Sequence, residues 1–131
     1  MEGYLQYAVW LKPSWAPPSW LFGPVWTVLY VFIALSFGYI FYRYFTGTIP
    51  WWVALPFALN LVFNFAFTPL QFGLESLWLS SFDILLVLAT LVWAMYVAYY
   101  FAPWVTYINI PYLLWVSFAT ILQLTILTLN H

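Results

Sequence analysis

The stretch LFGPVWTVLYVFIALSFGYIFYRYF, residues 21–45, contains one charged side chain in 25 positions. About 20 consecutive apolar residues are enough for an α-helix to cross the hydrocarbon core of a bilayer. Pro24 lies in the first turn of such a helix, where its missing N–H removes no hydrogen bond. Arg43, near the other end, is long enough to extend its charge toward the membrane surface. The stretch therefore predicts a transmembrane helix.

Charged residues are rare along the whole chain. Of its 131 residues, 67% are hydrophobic and 4% are charged, whereas a soluble domain has about 25% charged residues. A surface of this composition faces lipid or protein. The formal net charge of −1 excludes the basic surface of a nucleic-acid-binding protein. We expect an integral, multi-pass membrane protein in contact with membrane lipid, and no nucleic-acid partner.

Three more apolar segments follow the first. We predict an all-α fold, a transmembrane bundle of four spans, that forms a single domain over residues 1–131. The spans are predicted at about residues 21–45, 51–72, 77–101 and 111–129. Pro56 and Pro69 lie within the second span, and they should bend it or end it near Thr68.

Residues 1–20 differ from the spans. The apolar side chains of residues 4–11 are spaced as in a short amphipathic helix that lies at the membrane interface. Pro13, Pro17 and Pro18 then favour an extended loop, because the residue before a proline is restricted to extended conformations.

Tryptophan is abundant, with ten residues in the chain. Trp51 and Trp52 lie at the start of a predicted span, where tryptophan anchors a helix at the membrane surface. Trp26, Trp93 and Trp115 fall inside predicted spans. Those three either line a pocket or fill space between helices.

Polar groups within the spans are the best indicators of function. Asn60, Asn64 and Thr68 are spaced i, i+4, i+8, which places them on one face of the second span. They are suited to hydrogen bonds between helices, each worth about 1 kcal/mol in a membrane. They are equally suited to form the polar floor of a ligand pocket, and the two roles do not exclude each other.

Asp83 is the one carboxylate within a span. An unpaired charge at this depth is unfavourable, so Asp83 must be protonated, paired or close to the interface. We favour a structural hydrogen bond to a Trp, Tyr or Asn side chain over a role in a proton relay.

Residues for hydrolytic or metal chemistry are scarce. The chain has no cysteine, and its single histidine is His131, the last residue. No histidine is thus placed to activate a nucleophile, and no ligand spacing typical of zinc is present. We predict no catalytic residues and no metal site.

Five segments together resemble the signature of the TspO/MBR family. KPSWAPPSW at residues 12–20 is followed by GPVWTVLY at residues 23–30. The similarity continues at residues 58–73, 83–87 and 111–120. Taken together, the similar segments cover roughly residues 4–130.

This resemblance implies a helical bundle, often dimeric, that binds porphyrins or similar hydrophobic ligands in an aromatic pocket in order to sense, buffer or transport them. No cofactor is obligatory, and a bound porphyrin, haem-like tetrapyrrole or lipid is compatible with such a pocket. By resemblance, Trp15, Pro17 and Pro18 would form a loop that closes the pocket. The pocket or its support would be formed by Trp26, Asn60, Asn64, Asp83, Tyr112, Trp115 and Ala119.

Two features depart from the family pattern. Family members have a further hydrophobic span before the loop, whereas here eleven residues precede Lys12. We therefore expect lipid, a second copy of the chain or another protein to complete the pocket wall. That expectation allows an alternative function, an accessory structural subunit of a larger membrane complex. Leu124 stands where some bacterial members have a tryptophan implicated in porphyrin breakdown, which argues against enzymatic activity.

Overall fold

The computed structural model describes residues 14–74 and 76–130, which are almost entirely helical. The α-helices are α1 (Phe22–Phe45), α2 (Trp51–Thr68), α3 (Leu77–Phe101), α4 (Pro103–Ile108) and α5 (Ile110–Asn130). Four of them, α1, α2, α3 and α5, are long and apolar enough to cross a membrane. Within the described ranges there is no β-strand. The predicted all-α bundle with four spans is thereby confirmed.

The described chain enters α1 through residues 14–21. The interfacial helix predicted within residues 4–11 lies outside the described residues, which begin at Ser14. From there the chain continues to Pro18, whose carbonyl oxygen accepts a hydrogen bond from the Leu21 N–H at 3.1 Å. A single 3₁₀ turn, Ser19–Leu21, then leads into α1.

Gly47 ends the first span. Its φ angle is +78°, in the left-handed region that favours glycine and often terminates a helix. The Gly47 N–H donates to the Tyr44 carbonyl oxygen at 3.0 Å, and the Thr48 N–H donates to that of Arg43 at 2.9 Å. These bonds satisfy carbonyl groups in the last turn of α1, so the chain can reverse direction toward α2 within five residues.

Replacing Gly47 by alanine is expected to destabilise the bundle by about 1 kcal/mol, because an L-residue is disfavoured at positive φ. An added Cβ would meet no atom within 4 Å at Gly47 or at helical Gly38. Gly38→Ala is therefore a matched control, expected to stabilise α1 by about 0.5–1 kcal/mol. The free energy of unfolding in mixed micelles, followed by circular dichroism, measures both. If both variants were stabilised, or both destabilised, the left-handed conformation assigned to Gly47 would be wrong.

The end of α2 is not a regular α-helix. Pro69 has no N–H to donate, and a single turn of π-helix, Pro69–Gly73, follows the α-helix that ends at Thr68. The Leu74 N–H donates to the Pro69 carbonyl oxygen, five residues earlier, at 2.8 Å. The second predicted span thus consists of α2 and this π turn.

The corner between α3 and α5 contains a short helix, α4, that the sequence analysis did not predict. Ala102 has φ −153° and ψ 82°, which interrupts helical geometry, and Pro103 then occupies the first turn of α4, where proline is favoured. The Val105 side chain is fully buried. The Thr106 hydroxyl donates to the Met95 carbonyl oxygen at 2.7 Å. These contacts fold α4 back against α3.

Helix α3 lies at the centre of the bundle, since it packs against α2, α4 and α5. Its Leu91 and Ala94 side chains are fully buried. Helix α1 packs against α2 and α4, with the rings of Phe37 and Phe57 edge to face at 4.8 Å. Because α1 does not pack closely along α5, large side chains extend into the space between these two helices without filling it.

Candidate functional site

Side chains from all four long helices line a cavity of about 320 Å³ inside the bundle. It lies toward the end of the bundle where α1 begins and α2 ends. The polar residues of its lining are Tyr30, Asn64, Thr68 and Gln123. The apolar residues are Phe22, Trp26, Phe67, Ile84, Val87, Trp115, Val116, Ala119, Leu122 and Ile126. A concave, mostly apolar site with a few polar groups is typical of small-molecule binding.

Helix α1 contributes an aromatic wall. Phe22, Trp26 and Tyr30 are spaced i, i+4, i+8 and therefore share one face of the helix. The ring centroids of Trp26 and Tyr30 are 5.4 Å apart, with the planes inclined by 32°. Phe22 contacts Trp115 of α5 edge to face at 5.8 Å, so the aromatic side chains meet across the space between α1 and α5.

Helix α5 contributes the opposite wall. Trp115, Ala119 and Gln123 are also spaced i, i+4, i+8. Ala119 is the smallest residue of the lining, and its methyl group leaves room between the larger side chains of Trp115 and Gln123. The identity of residue 119 therefore controls how much of the cavity is open.

A chain of hydrogen bonds runs from the cavity into the core. The Tyr30 hydroxyl donates to Asn64 Oδ1 at 3.0 Å, and Asn64 Nδ2 donates to the Tyr112 hydroxyl at 2.7 Å. The Tyr112 hydroxyl in turn donates to Asn60 Oδ1 at 2.9 Å. Each of these donors meets an acceptor. The hydrogen-bond chain therefore links α1, α2 and α5.

Asn60 extends the chain to α3. Its side chain is fully buried, and Nδ2 donates to the Val87 carbonyl oxygen at 3.0 Å and to Thr90 Oγ1 at 3.2 Å. Asn60 therefore joins helices but does not line the cavity. Asn64 does both, since it takes part in the chain and also faces the cavity. Asn60 thus only joins helices, whereas Asn64 joins helices and also lines the cavity.

Gln123 is a lining residue that the sequence analysis missed. Its side chain is 3% exposed, and Nε2 donates to Ser80 Oγ at 3.0 Å and to Ser81 Oγ at 3.2 Å. These bonds orient the amide and leave Oε1 available as a hydrogen-bond acceptor for a ligand. Its position within the fourth predicted span could have identified Gln123 as a candidate, because a polar amide there is unfavourable without a partner.

Asp83 lies outside the lining, although its neighbour Ile84 belongs to it. The side chain is 4% exposed, and Oδ2 has no hydrogen-bond partner among the described residues. The structural hydrogen bond to a Trp, Tyr or Asn side chain that we favoured from the sequence is therefore not made by this oxygen.

The loop that precedes α1 covers one end of the cavity. The Trp15 ring is 46% exposed and contacts Phe118 of α5 edge to face at 5.7 Å. Ala16 packs against Leu122 and Ile126, two residues of the lining. Residues 14–18 thus contact the cavity wall from outside, and none of them is among the described residues that line the cavity.

The ten candidate site residues fall into four groups. Those that line the cavity are Trp26, Asn64, Trp115 and Ala119. Those in the hydrogen-bond chain behind it are Asn60 and Tyr112. Those of the covering loop are Trp15, Pro17 and Pro18, of which Pro17 is half-buried and Pro18 exposed. Asp83 is buried beside the lining. Phe22 and Tyr30, like Gln123, were missed, although their helical spacing from Trp26 could have identified them.

Two further residues from the sequence analysis lie on the outside of the bundle. Trp93 is 41% exposed and does not line the cavity, and Leu124 is 39% exposed on α5. Within residues 14–74 and 76–130 there is no group of three His, Cys, Asp or Glu side chains that could hold a metal ion.

Comparison with known proteins identifies relatives over nearly the whole chain. The sequence model of the TspO/MBR family matches residues 3–129. The tryptophan-rich protein TspO of Bacillus cereus is 38% identical over 119 residues, which cover 91% of this chain and 76% of that protein. The protein of the same name from Chlorobaculum tepidum is 33% identical over 124 residues, or 95% and 78% of the two chains. The human translocator protein is 38% identical over 90 residues, or 66% and 52%.

Proposed function

The chain belongs to the TspO/MBR family, and on that basis we propose that it binds tetrapyrroles or similarly flat hydrophobic molecules in order to sense, buffer or transport them. It is an integral, multi-pass membrane protein. The observation that supports the proposal most directly is the cavity between Trp26 and Trp115, which has aromatic walls and few polar groups.

The chemistry of the lining suits a flat aromatic ligand. Indole rings offer a large apolar surface and stack on other aromatic rings in offset or edge-to-face geometry. Trp26 and Trp115 lie on helices that face each other across the cavity, so a planar ligand would contact both. Asn64 and Gln123 would orient its polar edge, since a few placed polar groups usually determine the orientation of a ligand in an apolar site.

The charge of the lining restricts how such a ligand would be oriented. Among the described residues, none of those that line the cavity is an Asp, Glu, Lys or Arg. A charged carboxylate inside would lose its hydration without gaining a partner. The apolar ring of a tetrapyrrole would therefore occupy the cavity, and its carboxylate groups would remain at the membrane surface.

The cavity is small for a tetrapyrrole, and binding one would require the covering loop to move. A volume of about 320 Å³ is near the lower end of the range of about 300–1,000 Å³ that is usual for ligand pockets. A tetrapyrrole would need more space than this. We propose that the loop of Trp15, Pro17 and Pro18 acts as a lid that moves outward with the ligand, because Trp15 is 46% exposed and its ring meets that of Phe118 edge to face at 5.7 Å.

Replacing Trp26 by phenylalanine is expected to weaken the binding of protoporphyrin about fivefold, because a smaller ring loses about 1 kcal/mol of aromatic contact. Protoporphyrin fluorescence and quenching of tryptophan emission, measured with purified protein in micelles, give the affinity. Trp93→Phe is the matched control, since it removes an indole from the outside of the bundle.

Two results would contradict the proposed function. One is wild-type protein that leaves both fluorescence signals unchanged on mixing. The other is a Trp26→Phe variant that binds as tightly as wild type and as the Trp93→Phe control, because the cavity would then not be the binding site.

A further inference from the structure

Arg43 lies at the end of the bundle opposite the cavity, where α1 and α3 end. It is the only Lys or Arg side chain within residues 14–74 and 76–130. A charged side chain in so apolar a protein is unfavourable unless it has partners. The residues around Arg43 supply them.

Three contacts hold the Arg43 guanidinium in place. Nε donates to Thr48 Oγ1 at 3.2 Å, and Nη1 donates to the Phe101 carbonyl oxygen at 3.2 Å. The Cζ atom also lies 5.7 Å from the centre of the Tyr39 ring, within the range of a cation–π contact. Because these partners come from α1, the turn after it and the end of α3, the side chain is oriented before any ligand arrives.

The guanidinium retains unused hydrogen-bonding capacity. It has five N–H donors, and the two described bonds leave three of them available. The only acidic side chain among the described residues is Asp83, one to two turns from the start of α3 and therefore at the other end of the bundle. No described carboxylate can neutralise Arg43.

Exposed aromatic side chains place this group at the depth of the lipid headgroups. Trp52 is 47% exposed and packs on Phe101 with ring centroids 5.6 Å apart. Trp104 is 42% exposed and packs on Tyr39 at 5.0 Å. Tryptophan in membrane proteins concentrates at the interface between headgroups and hydrocarbon. Two of the three residues that hold Arg43, Phe101 and Tyr39, are thus themselves packed against interfacial tryptophans.

We propose that Arg43 is the binding site for the phosphate group of an anionic membrane lipid. A guanidinium presents paired N–H groups whose geometry matches two phosphate oxygens. The lipid would have a headgroup without a positive charge, such as phosphatidylglycerol, because a choline group would bring a second cation close to Arg43. Its acyl chains would lie along the exposed aromatic side chains Trp52 and Trp104. This inference does not depend on the proposed function of the cavity.

The wild-type protein tests the proposal without any substitution. Delipidated protein in detergent would be titrated with phosphatidylglycerol, phosphatidylcholine and diacylglycerol of the same acyl chains, and bound lipid counted by native mass spectrometry. We expect one phosphatidylglycerol to bind about fivefold more tightly than diacylglycerol, the effect of about one charge at a membrane surface. Equal binding of diacylglycerol would overturn the proposal.

Inorganic phosphate distinguishes a lipid site from a site for a soluble anion. An excess of inorganic phosphate should leave phosphatidylglycerol bound, since the acyl chains add apolar contacts that the free ion lacks. Complete displacement of the lipid by the free ion would assign the site to soluble phosphate and overturn the lipid proposal.

Substitutions separate a binding role from a structural one. Arg43→Gln keeps an N–H donor near the position of Nε, which donates to Thr48 Oγ1, but it removes the charge. The preference for phosphatidylglycerol should therefore be lost. Arg43→Lys should restore part of that preference, and Tyr42→Phe, an exposed neighbour, should leave it unchanged. An Arg43→Gln variant that elutes as wild type and keeps the full preference would refute the proposal. If that variant does not fold, the lipid titrations of the wild-type protein test the proposal without it.

Discussion

Replacing Asn60 by leucine is expected to destabilise the bundle by about 2–4 kcal/mol. Asn60 takes part in hydrogen bonds with Val87, Thr90 and Tyr112, each between different helices. Hydrogen bonds between membrane helices contribute about 0.6–2 kcal/mol each. Leucine has the same number of side-chain heavy atoms and the same branching, so the loss arises mainly from the bonds and from the buried groups left without a partner. Unfolding by denaturing detergent, followed by circular dichroism, measures the change.

Tyr112→Phe is the companion variant for Asn60→Leu. It removes only the hydroxyl that accepts from Asn64 and donates to Asn60, and we expect a loss of about 1–2 kcal/mol. Because the two substitutions share the bond between Tyr112 and Asn60, the double variant should be less destabilised than the sum, by about 1 kcal/mol. If the two losses of stability were strictly additive, or if the Asn60→Leu protein were as stable as wild type, the hydrogen-bond chain would not stabilise the bundle.

Replacing Ala119 by leucine is expected to weaken the binding of protoporphyrin at least tenfold. Residue 119 lines the cavity between Trp115 and Gln123, and a leucine side chain would extend into a space of about 320 Å³ that a flat ligand has to enter. A clash of this kind typically contributes more than about 1.4 kcal/mol, which is a factor of ten in affinity. The same fluorescence titration gives the affinity of the variant.

The control for this variant is Ala89→Leu, which makes the same chemical change on the exposed side of α3. It should leave both binding and stability near wild type, since a larger apolar side chain there faces lipid. Filling the cavity should not destabilise the Ala119→Leu protein either, because the leucine occupies open space. Unchanged binding by Ala119→Leu would exclude this cavity as the tetrapyrrole site.

Asn64 couples these two properties of the molecule. It belongs to the hydrogen-bond chain that joins the helices and also lines the cavity. A ligand that bonded to Asn64 would therefore act on the same side chain that holds Tyr30 and Tyr112. For this reason, variants of Asn60, which does not line the cavity, are better suited than variants of Asn64 for separating stability from binding.

Most of the architecture followed from composition and periodicity. Long segments almost free of charge can be stable only as helices in lipid, where every backbone N–H and C=O must find a partner within the chain. The signature at residues 12–30 then identified the family, because its prolines and tryptophans occur in a specific order. The spacing of Asn64 predicted that it shares a helical face with Asn60 and Thr68, and the family resemblance suggested Trp26 as a pocket residue. Both line the cavity.

Other features could not be read from the sequence because they depend on neighbours in space. Helix α4 forms where Val105 is buried against α3, a contact that no local pattern predicts. Trp93 and Trp115 are both tryptophans within spans, yet the first faces outward and the second lines the cavity. In an apolar chain the sequence contrast between buried and lipid-facing sides is small, so periodicity does not distinguish them.

Composition and motif order were sufficient to predict a helical membrane bundle with four spans that resembles the TspO/MBR family, since hydrocarbon permits few backbone conformations. Which polar groups pair with each other, and which remain available, depends on how the helices pack against one another in space. Asn60 and Asn64 are one turn apart on the same helix, but one is enclosed between helices and the other faces a cavity. That difference arises because α1 packs on α2 and not along α5, which leaves open the space where the cavity lies.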